Sequence, residues 1–260
     1  MTIGIIGLGY VGLTLAVAAS THGVDVYGVE TNRHIKDCLK QNRAHFYEPG
    51  LDNLIQRTSG KTFYVAEGFP EDVKFDAFII TVGTPLKKGS EEPNFEYIKS
   101  ALLSIKGVYD GSQLVILRST VSVGTTRRIV LPFLAGMCGK PEGEVLVSMC
   151  PERTLEGVAV EELTHLPQIV SGNNRKSVEI AQALFRHMTP CVVEAESLEE
   201  AELIKLYCNT YRDMTFAIGN AFCMAAQKFG VDGVSAIQHA IELLWHPVCA
   251  YNGFKFGVIR

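Results

Sequence analysis

Three glycines constrain this chain more than any other feature. A short β-branched run at residues 3–6 leads directly into Gly7-Leu8-Gly9-Tyr10-Val11-Gly12, and a helical stretch at 13–20 follows. A bare G-x-G-x-x-G string is weak, but between a strand and a helix it has a physical reading. Gly7 permits the tight turn, Gly9 lets backbone approach a diphosphate, and Gly12 lets the helix pack closely on the strand. The anion would lie on the amides of Tyr10, Val11 and their neighbours, where unpaired N–H groups and the helix dipole favour negative charge. The second strand run ends at Glu30, 18 residues beyond Gly12. A carboxylate there accepts ribose hydroxyls and repels a 2′-phosphate, which selects NAD over NADP, with FAD a distant alternative.

The rest of the pattern extends that beginning. Apolar, β-branched runs at 3–6, 24–29, 75–82, 114–117 and 145–149 alternate with segments long enough for crossover helices. This predicts an α/β fold, a doubly wound Rossmann-type parallel sheet. Residues 168–170 and 191–193 read as outer strands, with a helix at 175–188 between them. Ser197-Leu198-Glu199-Glu200 then has the form of a capping box. It opens a long central helix to about residue 229, roughly 48 Å at 1.5 Å per residue. The expected organisation is an NAD-binding domain over 1–196, a helical dimerisation and substrate segment over 197–240, and an unassigned tail over 241–260. A helix that outgrows its sheet needs a partner, and a homodimer through 197–229 is expected.

Composition narrows the classes. Of 260 residues, 47% are hydrophobic and 20% charged, with a net charge of -4. That excludes disorder and argues against a nucleic-acid partner. The longest apolar run, 11–19, is too short for a bilayer, and the chain opens without a charged, cleavable leader, so a cytoplasmic protein is expected. Seven scattered cysteines without a C-x-x-C pair fit reduced thiols better than a disulfide framework or a zinc site. The seven histidines form no metal-ligand spacing.

Six blocks in order give a resemblance to the UDP-sugar 6-dehydrogenase family, the UDP-glucose and UDP-N-acetylmannosamine dehydrogenases. They are Gly7–Leu13; His45-Phe46-Tyr47-Glu48-Pro49-Gly50-Leu51; Val82-Gly83-Thr84-Pro85; Arg118-Ser119-Thr120-Val121 with Gly124-Thr125-Thr126; Pro151-Glu152-Arg153-Thr154-Leu155-Glu156-Gly157; and Ala201-Glu202-Leu203-Ile204-Lys205 with Asn209, Tyr211, Arg212 and Asp213. The resemblance implies two NAD-dependent oxidations of a sugar C6 alcohol to a carboxylate, through an aldehyde, a cysteine thiohemiacetal and a thioester. Pro-Glu-Arg with Asn-Thr-Tyr-Arg-Asp is closer to the N-acetylhexosamine branch, whereas Glu156 leans towards the UDP-glucose branch.

Read against that chemistry, Lys205 can stabilise an alkoxide and Asn209 can polarise a carbonyl or hold a water. They are four residues apart, with Arg212 three further on, which is one stripe of a helix. Arg212 suits sugar or phosphate oxygens through its planar fork. Glu156 matches the family's proton-transfer carboxylate, and Thr120 holds a water near the nicotinamide or caps a helix. Glu152 and Arg153 are candidate substrate groups, Glu152 being equally readable as structural. Thr84 is expected against the cofactor. Tyr207 and Tyr211 are expected to pack in a core or an interface.

After Ala240 the resemblance stops. The family's nucleophile lies in Gly-Gly-x-Cys followed by Lys-Asp, and Cys249 has neither neighbour. A truncated or frameshifted reading frame, incomplete and inactive by itself, is therefore expected. Two alternatives remain: a 6-phosphogluconate-type hydroxyacid dehydrogenase, and a non-catalytic NAD-binding partner of a full-length homologue.

Overall fold

The computed structural model describes residues 1–244. Six strands, β1 (Thr2–Ile6), β2 (Asp25–Val29), β3 (Phe63–Ala66), β4 (Ala77–Ile80), β5 (Leu114–Leu117) and β6 (Val147–Met149), form one sheet in the order β3-β2-β1-β4-β5-β6. Every neighbouring pair is parallel. The helices before the last strands are α1 (Tyr10–Thr21), α2 (Arg33–Lys40), α3 (Leu51–Thr58), α4 (Glu96–Ser104) and α5 (Leu131–Cys138), the last entered through a π-helical turn at Thr126–Val130. Then come α6 (Ala159–His165), β7 (Gln168–Val170), α7 (Arg175–Arg186), β8 (Val192–Glu194), α8 (Leu198–Gln227) and α9 (Gly233–Leu244). Both faces of the sheet are covered, so its central strands are apolar throughout rather than alternating with polar residues. Successive residues still serve opposite layers. Ile79 joins Leu13, Leu15 and Phe185 on one side, while Phe78 and Ile80 join Ile98, Leu102 and Leu134 on the other.

Two expectations change. β3 was not foreseen: it is a four-residue edge strand in which only Phe63 is fully buried, so no apolar run announces it. The proposed outer strands exist, but β7 and β8 pair with each other as a separate parallel ladder instead of extending the six-stranded sheet.

The chain divides into two compact units, Met1–Leu206 and a second beginning at Tyr207. In the first, the start of α8 belongs to the core: Leu198 and Ala201 are buried among apolar side chains. The capping box is present with a shifted return contact. Ser197 Oγ accepts the Glu200 N–H at 3.0 Å, and the Glu200 carboxylate accepts the N–H of Glu196 instead of Ser197. In the second unit, Gly230 (φ +65°) turns the chain, and Asp232 Oδ1 accepts the Val234 N–H at 3.0 Å to start α9. Gly233 lies so close to α8 that a Cβ there would be 2.6 Å from Cys223 Cα. Tyr207 and Tyr211 are not core residues, being 66% and 41% exposed. Cys249 and the rest of the proposed tail beyond 244 lie outside the described residues.

Candidate active site

In a parallel sheet all the strand C-termini lie along one edge, and the crossover direction reverses between β1 and β4, where such sheets bind ligands. The glycine loop occupies this place. Gly7 has φ +91°, a left-handed conformation that side chains resist. A Cβ on Gly12 would be 1.9 Å from Gly7 O, so that position admits no side chain at all. A Cβ on Gly9, by contrast, would meet nothing within 4 Å, which leaves open space above the backbone. Gly9 is also the N-cap of α1, and no side chain caps the helix. The first-turn N–H groups have no intrahelical partner, so they offer the donors a diphosphate needs. The residues present therefore fit a dinucleotide.

Thr81 fixes the loop from beneath, its hydroxyl 2.6 Å from Gly7 O and 2.9 Å from Ile6 O. Glu30 fixes it from the side. Its carboxylate accepts N–H groups of Leu8 at 2.7 Å, Thr31 at 2.8 Å and Asn32 at 2.8 Å. An ionised carboxylate has about four acceptor positions, so the amides leave room for about one ribose hydroxyl rather than two. The turns after β4 and β5 are joined by Ser119 Oγ to Val82 O at 2.6 Å and Thr84 Oγ1 to Thr120 O at 2.6 Å. Thr84 thus spends its proton on the Thr120 carbonyl. Thr120 is exposed and lies in the turn between β5 and the π-helical segment, so it caps no helix.

The loop after β6 departs most from expectation. Glu152 is turned inward and 6% exposed. It meets Arg118, itself 1% exposed, through Nε at 3.0 Å and Nη2 at 2.5 Å, and accepts the N–H groups of Arg153 at 2.6 Å and Thr154 at 2.7 Å. Both oxygens are bonded to protein groups, so in this structure Glu152 holds the loop after β6. Burial pushes its carboxyl up, but the Arg118 guanidinium and the two amides outweigh that and hold it below the ordinary value. Arg118 also donates to Cys150 O at 3.1 Å and Gln168 Oε1 at 3.0 Å and covers the Phe185 ring. Cys150, fully buried beside this pair, has its thiol pushed up to about 12 by burial and is inert as a nucleophile. Arg153 is half-buried and Glu156 is exposed on the same loop.

Two further buried carboxylates carry the geometry without having been singled out. Glu48 accepts Tyr10 Oη at 2.7 Å and the N–H groups of Gly157 at 2.8 Å and Ala159 at 2.7 Å. Glu202, 1% exposed, accepts the N–H groups of Gly124 at 2.5 Å and Thr126 at 2.8 Å and the Thr126 hydroxyl at 2.6 Å. It fastens the start of α8 to the segment after Thr120. The sequence signal was available in both cases, a carboxylate inside a motif block with no chemistry assigned to it. Lys205 follows on α8 and is half-buried. Asn209, half-buried, and Arg212, exposed, belong to the second unit.

Comparison with known proteins gives these features a family. Residues 1–189 match the model of the UDP-glucose/GDP-mannose dehydrogenase family, NAD binding domain. A UDP-N-acetyl-D-mannosamine dehydrogenase of Campylobacter jejuni is 33% identical over 98% of this chain and 65% of its own length. The solved UDP-N-acetyl-D-mannosamine dehydrogenase of Pyrococcus horikoshii superposes with a TM-score of 0.85 at 31% identity, over 95% of this chain and 58% of that one. GDP-mannose dehydrogenase of Pseudomonas aeruginosa gives 0.87 at 26%, over 97% and 59%. The chain thus spans less than two thirds of the length of these relatives. Among the described residues no helix is long and apolar enough to cross a membrane. With its glycine loop at the sheet's switch point and its motif turns along the same edge, the chain belongs to the UDP-glucose/GDP-mannose dehydrogenase family and carries that family's NAD-binding domain.

Proposed function

We propose that this chain supplies the cofactor-binding half of an NAD-dependent oxidation of the C6 alcohol of a UDP-sugar, of the UDP-N-acetylmannosamine kind. The observation that supports it best is the cradle at the β1/β4 switch point, with uncapped α1 amides, a locked glycine loop and Glu30 at its side. NAD bound there supplies the hydride acceptor. The amides of Tyr10, Val11 and Gly12 hold its diphosphate, and Glu30 accepts a ribose hydroxyl and excludes a 2′-phosphate. Thr84 holds the Thr120 turn in register, and the Thr120 hydroxyl is free to orient a water. Lys205 steadies negative charge developing on the sugar oxygen, Asn209 orients that oxygen or a water, and exposed Glu156 takes up a proton through water. Arg153 and Arg212 are assigned to sugar and phosphate oxygens.

The same reading includes a second copy of the chain packed through residues 197–229. Tyr207, Tyr211, Met214 and Ile218 recur at spacings of four, three and four, the seam of paired helices. All four are at least 41% exposed.

Calorimetric titration of the purified chain with NAD⁺ and NADP⁺ tests the cofactor assignment. UDP-N-acetylmannosamine and UDP-glucose are then added to the NAD⁺-saturated chain while NADH absorbance is followed. Preference for NAD⁺, with heat or NADH elicited more strongly by the acetylated sugar, is the expected result. Failure to bind NAD⁺, or an equal response to NADP⁺, would overturn the assignment of the cradle. Preference for UDP-glucose would overturn the choice of sugar.

A further inference from the structure

Tyr10 stands in two places at once. Its backbone is the first residue of α1, in the diphosphate cradle, and its phenol reaches away to a different loop. There Tyr10 Oη donates to Glu48 Oε2 at 2.7 Å, with Leu155 O also in range at 3.2 Å. Glu48 is 5% exposed and also accepts the Gly157 and Ala159 N–H groups. Ala159 is the first residue of α6, so Glu48 accepts one of the amides that helix leaves unpaired as well as anchoring the loop before it. The three contacts therefore grip the segment on both sides of Glu156, at Leu155 and at Gly157. Glu156 itself is near enough to Tyr10 for its charge to act on the phenol, although burial and Glu48 are the larger influences raising it. The Tyr10 ring is held in turn against Phe46 at 4.8 Å between centroids. Nothing in this arrangement is explained by packing alone: a carboxylate that could stay in solvent is buried to join residues 38 and 109 positions away from it.

We propose that Tyr10 and Glu48 are positioning residues that set the Glu156 segment from the cofactor cradle. A dinucleotide drawing on the first turn of α1 fixes Tyr10; Tyr10 fixes Glu48; Glu48 fixes the Gly157 and Ala159 amides that follow Glu156. The inference rests on the cofactor reading for its first link, whereas the last link stands on the geometry of Glu48 alone.

Hydrogen exchange resolved to the 155–159 segment separates the two links. Without cofactor, Glu48→Ala is expected to raise exchange at Gly157 and Ala159 at least tenfold while the amides of β4 stay unchanged. Glu48→Gln keeps one acceptor oxygen and is expected to restore protection in part. In the native chain, NAD⁺ is expected to slow exchange at 155–159 further, and Tyr10→Phe is expected to abolish that response while keeping the protection seen without NAD⁺. Native exchange at Gly157 and Ala159 in Glu48→Ala would overturn the positioning role. A full NAD⁺ response in Tyr10→Phe, or none in the native chain despite bound NAD⁺, would overturn the coupling. If the native chain binds no NAD⁺, the cofactor reading fails, and the comparison of Glu48 variants without cofactor still decides the positioning role.

Discussion

At the scale of single residues, the site is ruled by what cannot be changed. A methyl at Gly12 would be 1.9 Å from a backbone oxygen of the loop it must cover. Either α1 moves off β1 or the loop opens, and both misplace the first-turn amides that the cofactor reading assigns to a diphosphate. Gly12→Ala is therefore expected to reduce NAD⁺ affinity by at least a hundredfold in calorimetry, whereas Gly68→Ala, whose Cβ meets nothing within 4 Å, leaves it unchanged. The Arg118–Glu152 pair obeys a different rule, because breaking a buried ion pair leaves a charge without its partner. Glu152→Gln is expected to destabilise the chain by about 3–5 kcal/mol in urea unfolding at neutral pH. The sign of its pH dependence follows from the carboxyl lying lower in the folded than in the unfolded state. That contribution is fully present above the unfolded value near 4.5 and disappears as pH falls through the folded one. The gap between native and variant stability should then close on acidification. A gap that stayed constant to low pH would mean that Glu152 stabilises by shape and not by charge.

At the scale of elements, α8 has two characters within one helix. Its start is core: Leu198 and Ala201 are buried, and the Glu202 carboxylate is held by Gly124 and Thr126. From Tyr207 onward its apolar side chains face outward, Met214 at 59%, Ile218 at 50% and Phe222 at 59% exposure. If a second copy covers the seam, Ile218→Asp should weaken association at least tenfold, about 1.4 kcal/mol, in sedimentation equilibrium. An unchanged molecular mass on that substitution would place the contact elsewhere. The same helix shows what periodicity in a sequence can and cannot reveal. Its length and capping serine were legible because they depend on local hydrogen bonding. The exposure of Tyr207 and Tyr211 was not, since an apolar stripe looks the same whether its partner is the same chain or another. β3 escaped notice for the related reason that an edge strand needs to bury only Phe63. In the glycine loop, the turn at Gly7 and the close approach at Gly12 were legible because backbone proximity leaves few alternatives. Glu152 was ambiguous and Glu48 silent, because whether a carboxylate faces ligand or protein depends on partners as distant as Arg118 and Tyr10.

At the scale of the whole molecule, the first unit binds together segments that the chain order keeps far apart. The turns after β1, β2, β4, β5 and β6 meet along one edge, and polar side chains tie nearly all of them to a neighbour: Glu30 to Leu8, Thr81 to Gly7, Thr84 to Thr120, and Arg118 to Glu152. A ligand that spans this edge touches the unfolded chain nowhere, so its binding free energy adds to folding stability by mass action. NAD⁺ at a hundred times its dissociation constant contributes about 2.7 kcal/mol. For a unit of this size each kcal/mol raises the melting midpoint by about 2–4 °C, which predicts an increase of roughly 5–10 °C. On the reading that Glu30 accepts a ribose hydroxyl, NADP⁺ at the same concentration should produce little, because the carboxylate would repel its additional phosphate. Replacing Glu30 by Ala should narrow the difference between the two cofactors from both sides: the ribose contact is lost for NAD⁺ and the repulsion is lost for NADP⁺. Differential scanning calorimetry of the native chain and of Glu30→Ala with each dinucleotide measures all four midpoints. Equal shifts by both cofactors in the native chain would mean that the end of β2 does not read the ribose, because the three amides on Glu30 already hold its carboxylate out of reach.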